Sequence, residues 1–157
     1  MDFENMNTLY IVRGVSGSGK TTYAKELAQA EKCLYFEADM WFDIDGVYTF
    51  NASELGRAHE WCFEEVADEI SHGRDVIVSN TFTRSWEMEA YIAKALNHGY
   101  RVRIITCTGR YQNTHGLTEA MVARQVARFQ SNKEIEALYR ATYRHAYTDG
   151  NIIFSNH

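Results

Sequence analysis

Gly14-Val15-Ser16-Gly17-Ser18-Gly19-Lys20-Thr21 is a complete phosphate-binding loop of the pattern G-x-x-x-x-G-K-T. Residues 8–12, just before it, are β-branched, aromatic or apolar, which is typical of a strand. Residues 22–30, just after it, carry alanines and a leucine at helical spacing. A glycine-rich loop between a strand and a helix is the context in which this pattern binds phosphate. The sequence therefore predicts a nucleotide-binding domain.

The residue types in this loop suit phosphate chemistry. Glycines let successive backbone N–H groups turn inward, and the start of the following helix adds unpaired donors and a positive dipole. Lys20 supplies charge for the β- and γ-phosphates, and Thr21 offers a hydroxyl to Mg²⁺, which prefers oxygen ligands. We expect the nucleotide to be bound by Gly14, Ser16, Gly17, Ser18, Gly19, Lys20, Thr21 and Thr22.

Length and composition favour one small domain. The 157 residues fit a single domain over 1–157, with residues 1–7 expected to be a flexible tail. No stretch approaches the ~20 apolar residues of a membrane span, and the acidic start is unlike a signal peptide. We therefore expect a cytoplasmic protein without a membrane partner.

Cys33, Cys62 and Cys107 are widely spaced, which predicts reduced thiols rather than a zinc site. Nothing in the sequence indicates the oligomeric state.

The net charge of −5 conceals an uneven distribution. Residues 1–100 hold 8 Lys/Arg and 17 Asp/Glu, whereas residues 101–144 hold 8 Lys/Arg and 3 Glu. A basic C-terminal third could neutralise transferring phosphates, the backbone of a polynucleotide, or both. It could equally be a set of solvated helix faces.

Strand-like and helix-like segments alternate along the chain without repeats or linkers, which predicts a parallel α/β sheet. Further strands are predicted at 33–37, 76–78, 101–106 and 151–154, giving about five parallel strands with helices on both faces, a P-loop NTPase/kinase fold. Residues 43–52 are predicted to form a loop or short hairpin. Ser53, Ser85 and Thr118 are predicted N-caps of helices, Ser131-Asn132 should break the next helix, and a last helix should run to about Tyr147.

Polar residues follow two of these strands at the sheet edge where sites gather. Asp39, two residues past the second strand, is the strongest candidate for the base that accepts a hydroxyl proton, although it could instead be an N-cap. Asp43 and Asp45 are weaker candidates. Asn80 and Thr81 follow the central strand and are candidates for binding substrate.

The candidate cations for a mobile lid are Arg124 and Arg128, which stand four apart on one face of a predicted helix. Both could reach one phosphate group in phosphoryl transfer, with Arg110 as a third possibility. Each could equally be an ordinary surface arginine.

Other side chains are candidates for contacting substrate. His59 falls inside the apolar stripe of its helix, where it is either a core residue or a substrate contact. Trp41, Phe42, Tyr48 and Phe50 cluster after Asp39 in a loop that we expect to be exposed. Aromatic faces there could stack on a base, or they could simply pack the lid.

Several segments resemble a known family beyond the phosphate-binding loop itself. They read EADMWF (37–42), LGRAHEWC (55–62), VIVSNTFTRSWEM (76–88) and HGL (115–117). Together with residues 14–21 they resemble the kinase-like P-loop ATPases related to phage polynucleotide kinase. The resemblance implies ATP and Mg²⁺ at the loop, Asp39 as the base for an acceptor hydroxyl, and a basic lid after the fourth strand. The residues assigned to the acceptor are Trp41, Tyr48, His59, Asn80, Thr81 and Arg84.

The chain departs from this family at two places. Relatives often carry an acidic residue just after the third strand, where this chain has Ser79-Asn80. A lid arginine commonly precedes the Asn/His-Gly segment, but residues 112–116 contain none. Arg110, Arg124 or Arg128 must therefore serve if a lid cation is used.

These observations favour an ATP-dependent kinase that phosphorylates a hydroxyl of a nucleic acid, either a 5′ end or a hydroxylated base. A small-molecule kinase acting on a nucleoside-like metabolite is the nearest alternative. A non-kinase ATPase or nucleotide-binding adaptor is the rival from another class, and Asp39 argues against it. A guanine-reading N-K-x-D segment is absent from the sequence.

Overall fold

The computed structural model describes residues 6–111 and 117–157. The strands are β1 (Thr8–Arg13), β2 (Leu34–Phe36), β3 (Asp43–Ile44), β4 (Val47–Tyr48), β5 (Val76–Asn80), β6 (Arg101–Thr106) and β7 (Ile152–Asn156). The helices are α1 (Lys20–Glu31), α2 (Leu55–Ser71), α3 (Glu89–Asn97), α4 (Glu119–Arg128), α5 (Asn132–Thr142) and α6 (Arg144–Thr148).

Five of the strands form one parallel sheet in the spatial order β2-β5-β1-β6-β7. β3 and β4 pair as a separate antiparallel hairpin. Every residue of β1 is buried, because β1 is the central strand and has helices against both of its faces. The loop that follows β1 therefore leaves the middle of the sheet at its carboxyl edge.

The two faces of the sheet have separate cores. Ala24 of α1 packs on Tyr10, Val12, Ile77 and Ile105 on one face. Side chains of α2, α3 and α5 pack on the alternate residues of the same strands on the other face. The predicted α/β fold with helices on both faces of a five-stranded parallel sheet is confirmed. Within the described residues, no helix has the length and apolar character to cross a membrane.

Two predicted helix starts are wrong. Asn51, not Ser53, accepts a backbone hydrogen bond as the cap of a 3₁₀ turn, and α2 begins after it at Leu55. Ser85 begins another 3₁₀ turn, and its N–H donates to Oε1 of Gln130 rather than serving a helix. Short side chains next to helices favour both true caps and turns, and tertiary contacts decide between them. The predicted cap at Thr118 is confirmed, and so is the predicted helix break at Ser131-Asn132, where α4 has ended and Ser131 caps α5.

Two expectations about burial are also wrong. Ala58, Cys62, Val66 and Ile70 form the buried stripe of α2, but His59 is exposed because it lies about 100° around the helix from Ala58. It is therefore not a core residue. Phe42, expected in an exposed loop, is 1% exposed and belongs to the main core. The predicted last helix is interrupted at Tyr143, which separates α5 from α6.

Candidate active site

The phosphate-binding loop has the backbone that its glycines allow. Gly17 and Gly19 have φ of 83° and 89°, in the left-handed region that side chains rarely adopt. A Cβ at Gly17 would lie 2.7 Å from the carbonyl oxygen of Tyr111, so space as well as conformation requires glycine. Gly19 precedes α1 directly, which leaves the first N–H groups of that helix beside the loop.

Lys20 is largely buried and lies within electrostatic range of two carboxylates. Burial lowers the pKa of Lys20, and the negative charges of Glu37 and Asp39 oppose that shift. A lysine held in this way is a compact cation in a partly dehydrated place, where its attraction for phosphate is strong.

Thr21 and Glu37 form a contact that the sequence analysis did not identify. The hydroxyl of Thr21 donates to Oε2 of Glu37 at 3.0 Å. Glu37 comes directly after β2 and two residues before Asp39. Its position at the carboxyl end of a strand is the feature of the sequence from which it could have been predicted as a site residue. Hydroxyl and carboxylate oxygens are the ligands that Mg²⁺ prefers, so these residues fit a magnesium ion that is bound jointly with phosphates.

Asp39 lies in the 3₁₀ turn Ala38–Phe42 and not at its N-cap, which is Glu37. The turn is fixed by the Ala38 N–H, which donates to Oδ1 of Asn80 at 2.9 Å. Asn80 is therefore a buried support for this turn. The hydroxyl of Tyr48 donates to Oδ1 of Asp39 at 3.2 Å. Asp39 thus accepts a hydrogen bond from a hydroxyl group, as a general base must.

Tyr48 comes from the β3–β4 hairpin, which lies beside Asp39. Burial, followed by the charge of Asp39, raises the pKa of Tyr48 to about 12. Tyr48 and Phe50 pack on Phe42, with ring centroids 6.3 and 5.1 Å away. Trp41 lies 6.2 Å from Trp61 of α2, centroid to centroid. Tyr48 and Phe50 therefore pack the hairpin on Phe42, Trp41 packs on α2, and the Tyr48 hydroxyl also contacts Asp39.

Helix α4 packs over the other side of the loop. The Ser16 N–H donates to Oε1 of Gln125 at 2.8 Å. A cleft of about 670 Å³ lies between the loop, residues 106–111 and the apolar side chains Val122, Val126 and Phe129. This volume is in the range of sites for nucleotide-sized ligands. The sequence analysis did not identify Gln125 as a site residue, although it lies on the same helix face as Val122 and Phe129.

The two predicted lid arginines lie on α4 but do not contact the loop. Arg128 donates from Nε to Oγ1 of Thr83 at 3.2 Å and pairs with Glu87 at 3.4 Å. Arg124 is exposed, and its Nε reaches the carbonyl of Ala120 at 3.4 Å. Arg84 donates to the carbonyl oxygen of Arg128 at 3.1 Å. In this conformation Arg84 and Arg128 join α4 to the segment after β5.

Arg13 is a buried charge that the sequence analysis did not identify. It is fully buried, lies 4.0 Å over the ring of Phe129, and donates to four neutral oxygens. Two are the carbonyls of Phe82 and Gln130, and the others are side-chain oxygens of Thr106 and Asn132. Burial lowers the pKa of Arg13 to about 10, which leaves it charged at neutral pH. Arg13 directly precedes Gly14, and its hydrogen bonds therefore connect the end of β1 to the segment between α4 and α5.

The remaining predicted residues are scattered around this site. Thr81 accepts a hydrogen bond from Gly14 N through its backbone carbonyl, so its role is to hold the loop. Thr22 and Arg110 are exposed, and His59 lies on the outer side of α2. The predicted HGL segment begins in residues 112–116, which lie outside the described residues, as does most of the predicted tail 1–7.

Residues 9–145 match the model of a protein family described as AAA domain. Over 136 residues the chain is 30% identical to NEDD4-binding protein 2 of Homo sapiens, an alignment that covers 78% of this chain. The chain spans 8% of the length of that human protein.

Several solved structures share the fold. One is the Pnkp1/Rnl/Hen1 RNA repair complex, at 15% identity and a TM-score of 0.62, covering 82% of this chain and 46% of that one. Kti12 of Chaetomium thermophilum in complex with ADP-AlF3 matches at 16% identity and a TM-score of 0.59, covering 78% and 80%. A gluconokinase from Sinorhizobium meliloti matches at 13% identity and a TM-score of 0.56, covering 96% and 83%. At such identities the likeness is one of fold.

Proposed function

The chain belongs to this AAA domain family and is a P-loop kinase-like domain, and we propose that it is an ATP-dependent kinase that transfers the γ-phosphate to a hydroxyl of a nucleic acid. The observation that carries the proposal is the position of Asp39. The negative charge of its carboxylate favours the protonated form of Lys20. The same carboxylate accepts a hydrogen bond from the Tyr48 hydroxyl. A base for an acceptor hydroxyl therefore stands next to the group that binds the transferring phosphate.

The reaction assigns one task to each residue. Backbone N–H groups of residues 14–21 and the Lys20 ammonium hold the β- and γ-phosphates in place. Asp39 orients the acceptor hydroxyl and takes its proton as the new O–P bond forms and the bond between the γ-phosphorus and the bridging oxygen breaks, releasing ADP. Mg²⁺, held by Thr21 and the phosphates, would neutralise charge that develops during transfer. Tyr48 occupies the place at Asp39 that an acceptor hydroxyl would take.

The basic C-terminal third supports a polyanionic acceptor. Arg110, Arg124, Arg128 and Lys133 are all exposed, and Arg124 and Arg128 belong to the helix that packs over the loop. Exposed cations near the transfer site would bind the phosphates that flank an acceptor nucleotide.

A specific observation also supports a small-molecule acceptor as the second candidate. The β3–β4 hairpin next to Asp39 is acidic and apolar, with Asp43 and Asp45 exposed and Ile44 and Val47 exposed by 59% and 64%. A surface of this kind repels a polyanion and favours an uncharged acceptor with an apolar face.

The experiment that tests the proposal is a transfer assay with γ-labelled ATP and five acceptors: single-stranded DNA, duplex DNA, RNA, nucleosides and water. Label in a polynucleotide supports the proposal, and label only in the nucleosides identifies a small-molecule kinase. Release of phosphate to water alone identifies an ATPase. Asp39→Asn is the control, because it should nearly eliminate transfer to any hydroxyl.

Salt dependence separates the two kinases independently. Counterion release weakens polynucleotide binding steeply, so 6–10 phosphate contacts would cost ~10³–10⁵ in affinity between about 50 and 200 mM salt. The KM for a nucleoside should barely change over the same range. A flat response for an oligonucleotide, with good turnover of a nucleoside, would sink the nucleic-acid proposal.

A further inference from the structure

The carboxyl ends of β2 and β5 lie side by side next to α1. Phe36 pairs with Val78, so Glu37 and Ser79 follow at neighbouring positions on the two strands. Ser79 in turn pairs with Val12 of β1, two residues before the phosphate-binding loop. A side chain at either strand end is therefore placed beside the start of α1, where Lys20 and Thr21 lie.

Neither residue at the end of β5 offers a carboxylate. Ser79 lies on the same face as Ile77, the face that α1 covers, and is 0% exposed. Within the described residues its hydroxyl oxygen has no hydrogen-bond partner. Asn80 lies on the opposite face, where its side chain accepts from the Ala38 N–H and its Nδ2 lies 3.7 Å from the Cys62 sulfur. The acidic residue that related kinases often carry here is absent from this sequence.

Glu37 is the carboxylate that contacts this place from the neighbouring strand. Its Oε2 accepts a hydrogen bond from the Thr21 hydroxyl at 3.0 Å. A Thr21 hydroxyl that donates its proton to Glu37 presents its oxygen lone pairs to a cation. Glu37 therefore both brings negative charge to the site and orients the hydroxyl that would bind the metal.

We propose that Glu37 supplies, from the end of β2, the carboxylate that supports Mg²⁺ at Thr21, in place of an acid at the end of β5. Glu37 is a positioning residue in this role, and the inference rests on the proposed function only in requiring a nucleotide with Mg²⁺ at the loop. It explains how the loop can hold a divalent cation although Ser79 and Asn80 are neutral.

The test is the metal affinity of the nucleotide-bound protein. Mn²⁺ binding to the complex with a non-hydrolysable ATP analogue is measured by electron paramagnetic resonance for the wild type, Glu37→Gln and Glu37→Ala. Analogue affinity is measured calorimetrically in Mg²⁺ and in EDTA. Loss of a supporting carboxylate typically costs about 10–100-fold in metal affinity. We expect a loss of that size in both variants, with unchanged or tighter analogue binding in EDTA because a negative charge near the phosphates is gone.

Glu26→Gln is the matched control, because it removes an exposed carboxylate from α1, the helix that carries Thr21. Wild-type Mn²⁺ affinity in both Glu37 variants would overturn the inference. An equal loss of analogue affinity with and without the metal would also overturn it, because that result indicates a purely structural role. Failure of the wild type to bind the analogue at all would refute the proposed function instead, so the two failures are distinguishable.

Discussion

The backbone N–H of Ser16 donates a 2.8 Å hydrogen bond to Oε1 of Gln125, which ties helix α4 directly to the phosphate-binding loop. The N–H groups of such loops are the donors that bind phosphate oxygens. The amide oxygen of Gln125 therefore occupies a donor on the loop, and a phosphate that uses this N–H must displace it.

Gln125→Ala should tighten the binding of ADP. The variant no longer has to break the Ser16 contact, whose net contribution is about 0.5–1.5 kcal/mol, so the expected gain is about 2–12-fold in Kd. Calorimetric titration with ADP measures it, and Gln29→Ala on the exposed side of α1 is the control. Weaker ADP binding in Gln125→Ala would mean that Gln125 contacts the nucleotide itself.

Lys20→Ala should abolish Mg·ATP-dependent activity and leave the fold intact. Burial already disfavours the charge of Lys20, as its lowered pKa indicates, so removing the ammonium has little cost in unfolding free energy. Activity assays and circular dichroism melts check both parts. The control is Lys25→Ala, an exposed lysine of the same helix, which should behave as the wild type. Full activity in folded Lys20→Ala would contradict the role of Lys20 in binding the transferring phosphate.

Asp39→Asn should nearly eliminate transfer to a hydroxyl while ATP binding survives. The amide keeps the shape of the side chain but cannot take the proton, and a general base contributes about 10²–10⁴-fold. The measurement is kcat at saturating acceptor, with calorimetric ATP binding as the companion. Asp45→Asn in the exposed hairpin turn is the matched control. A loss below about threefold would leave Asp39 without a catalytic role.

The parts of the site that the sequence predicted are those with local signals. Residues 14–21 carry their own conformational requirements, and Asp39 follows a strand whose parallel pairing brings its end to the loop. The hydrophobic run at 76–78 likewise indicated a central strand, because only fully buried strands are apolar on both faces.

The contacts that the sequence did not predict join residues far apart in the chain. Ser16 and Gln125 are separated by 109 residues, and Arg13 and Gln130 by 117. The pattern of α4 placed Arg124 and Arg128 on one face, but the face toward the loop is the apolar one that also carries Gln125. Periodicity identifies such faces, whereas the tertiary packing of the helix determines which one meets the site.

Arg13→Met should lower the free energy of unfolding by about 3–5 kcal/mol, because three buried acceptors, the carbonyls of Phe82 and Gln130 and the Thr106 hydroxyl, lose the donor that Arg13 provides. Arg13→Lys should lose less but remain destabilised, because an ammonium cannot reproduce the planar fork or its stacking on Phe129. Urea unfolding measures both. Arg103→Met, on a half-buried arginine of β6, is the control with a smaller expected loss. Equal stability of Arg13→Met and wild type would contradict the structural role given to this residue.

Arg124→Ala and Arg128→Ala should each lower kcat if these arginines act on the transferring or flanking phosphate from α4. In the described conformation Arg128 pairs with Glu87, both side chains being partly exposed, and such a pair contributes ~1 kcal/mol or less. A decrease in kcat clearly larger than about fivefold therefore requires a role in the transition state, where charge stabilisation is worth more.

Glu87→Gln separates the two explanations, because it removes the ion pair and leaves the arginine in place. If Arg128 serves only to hold α4 against Thr83 and Glu87, Glu87→Gln and Arg128→Ala should have similar small effects. If it moves to the phosphate, Glu87→Gln should keep or raise kcat while Arg128→Ala lowers it. Arg140→Ala, which removes an exposed arginine 4.7 Å over the ring of Tyr147, should leave kcat nearly unchanged in either case.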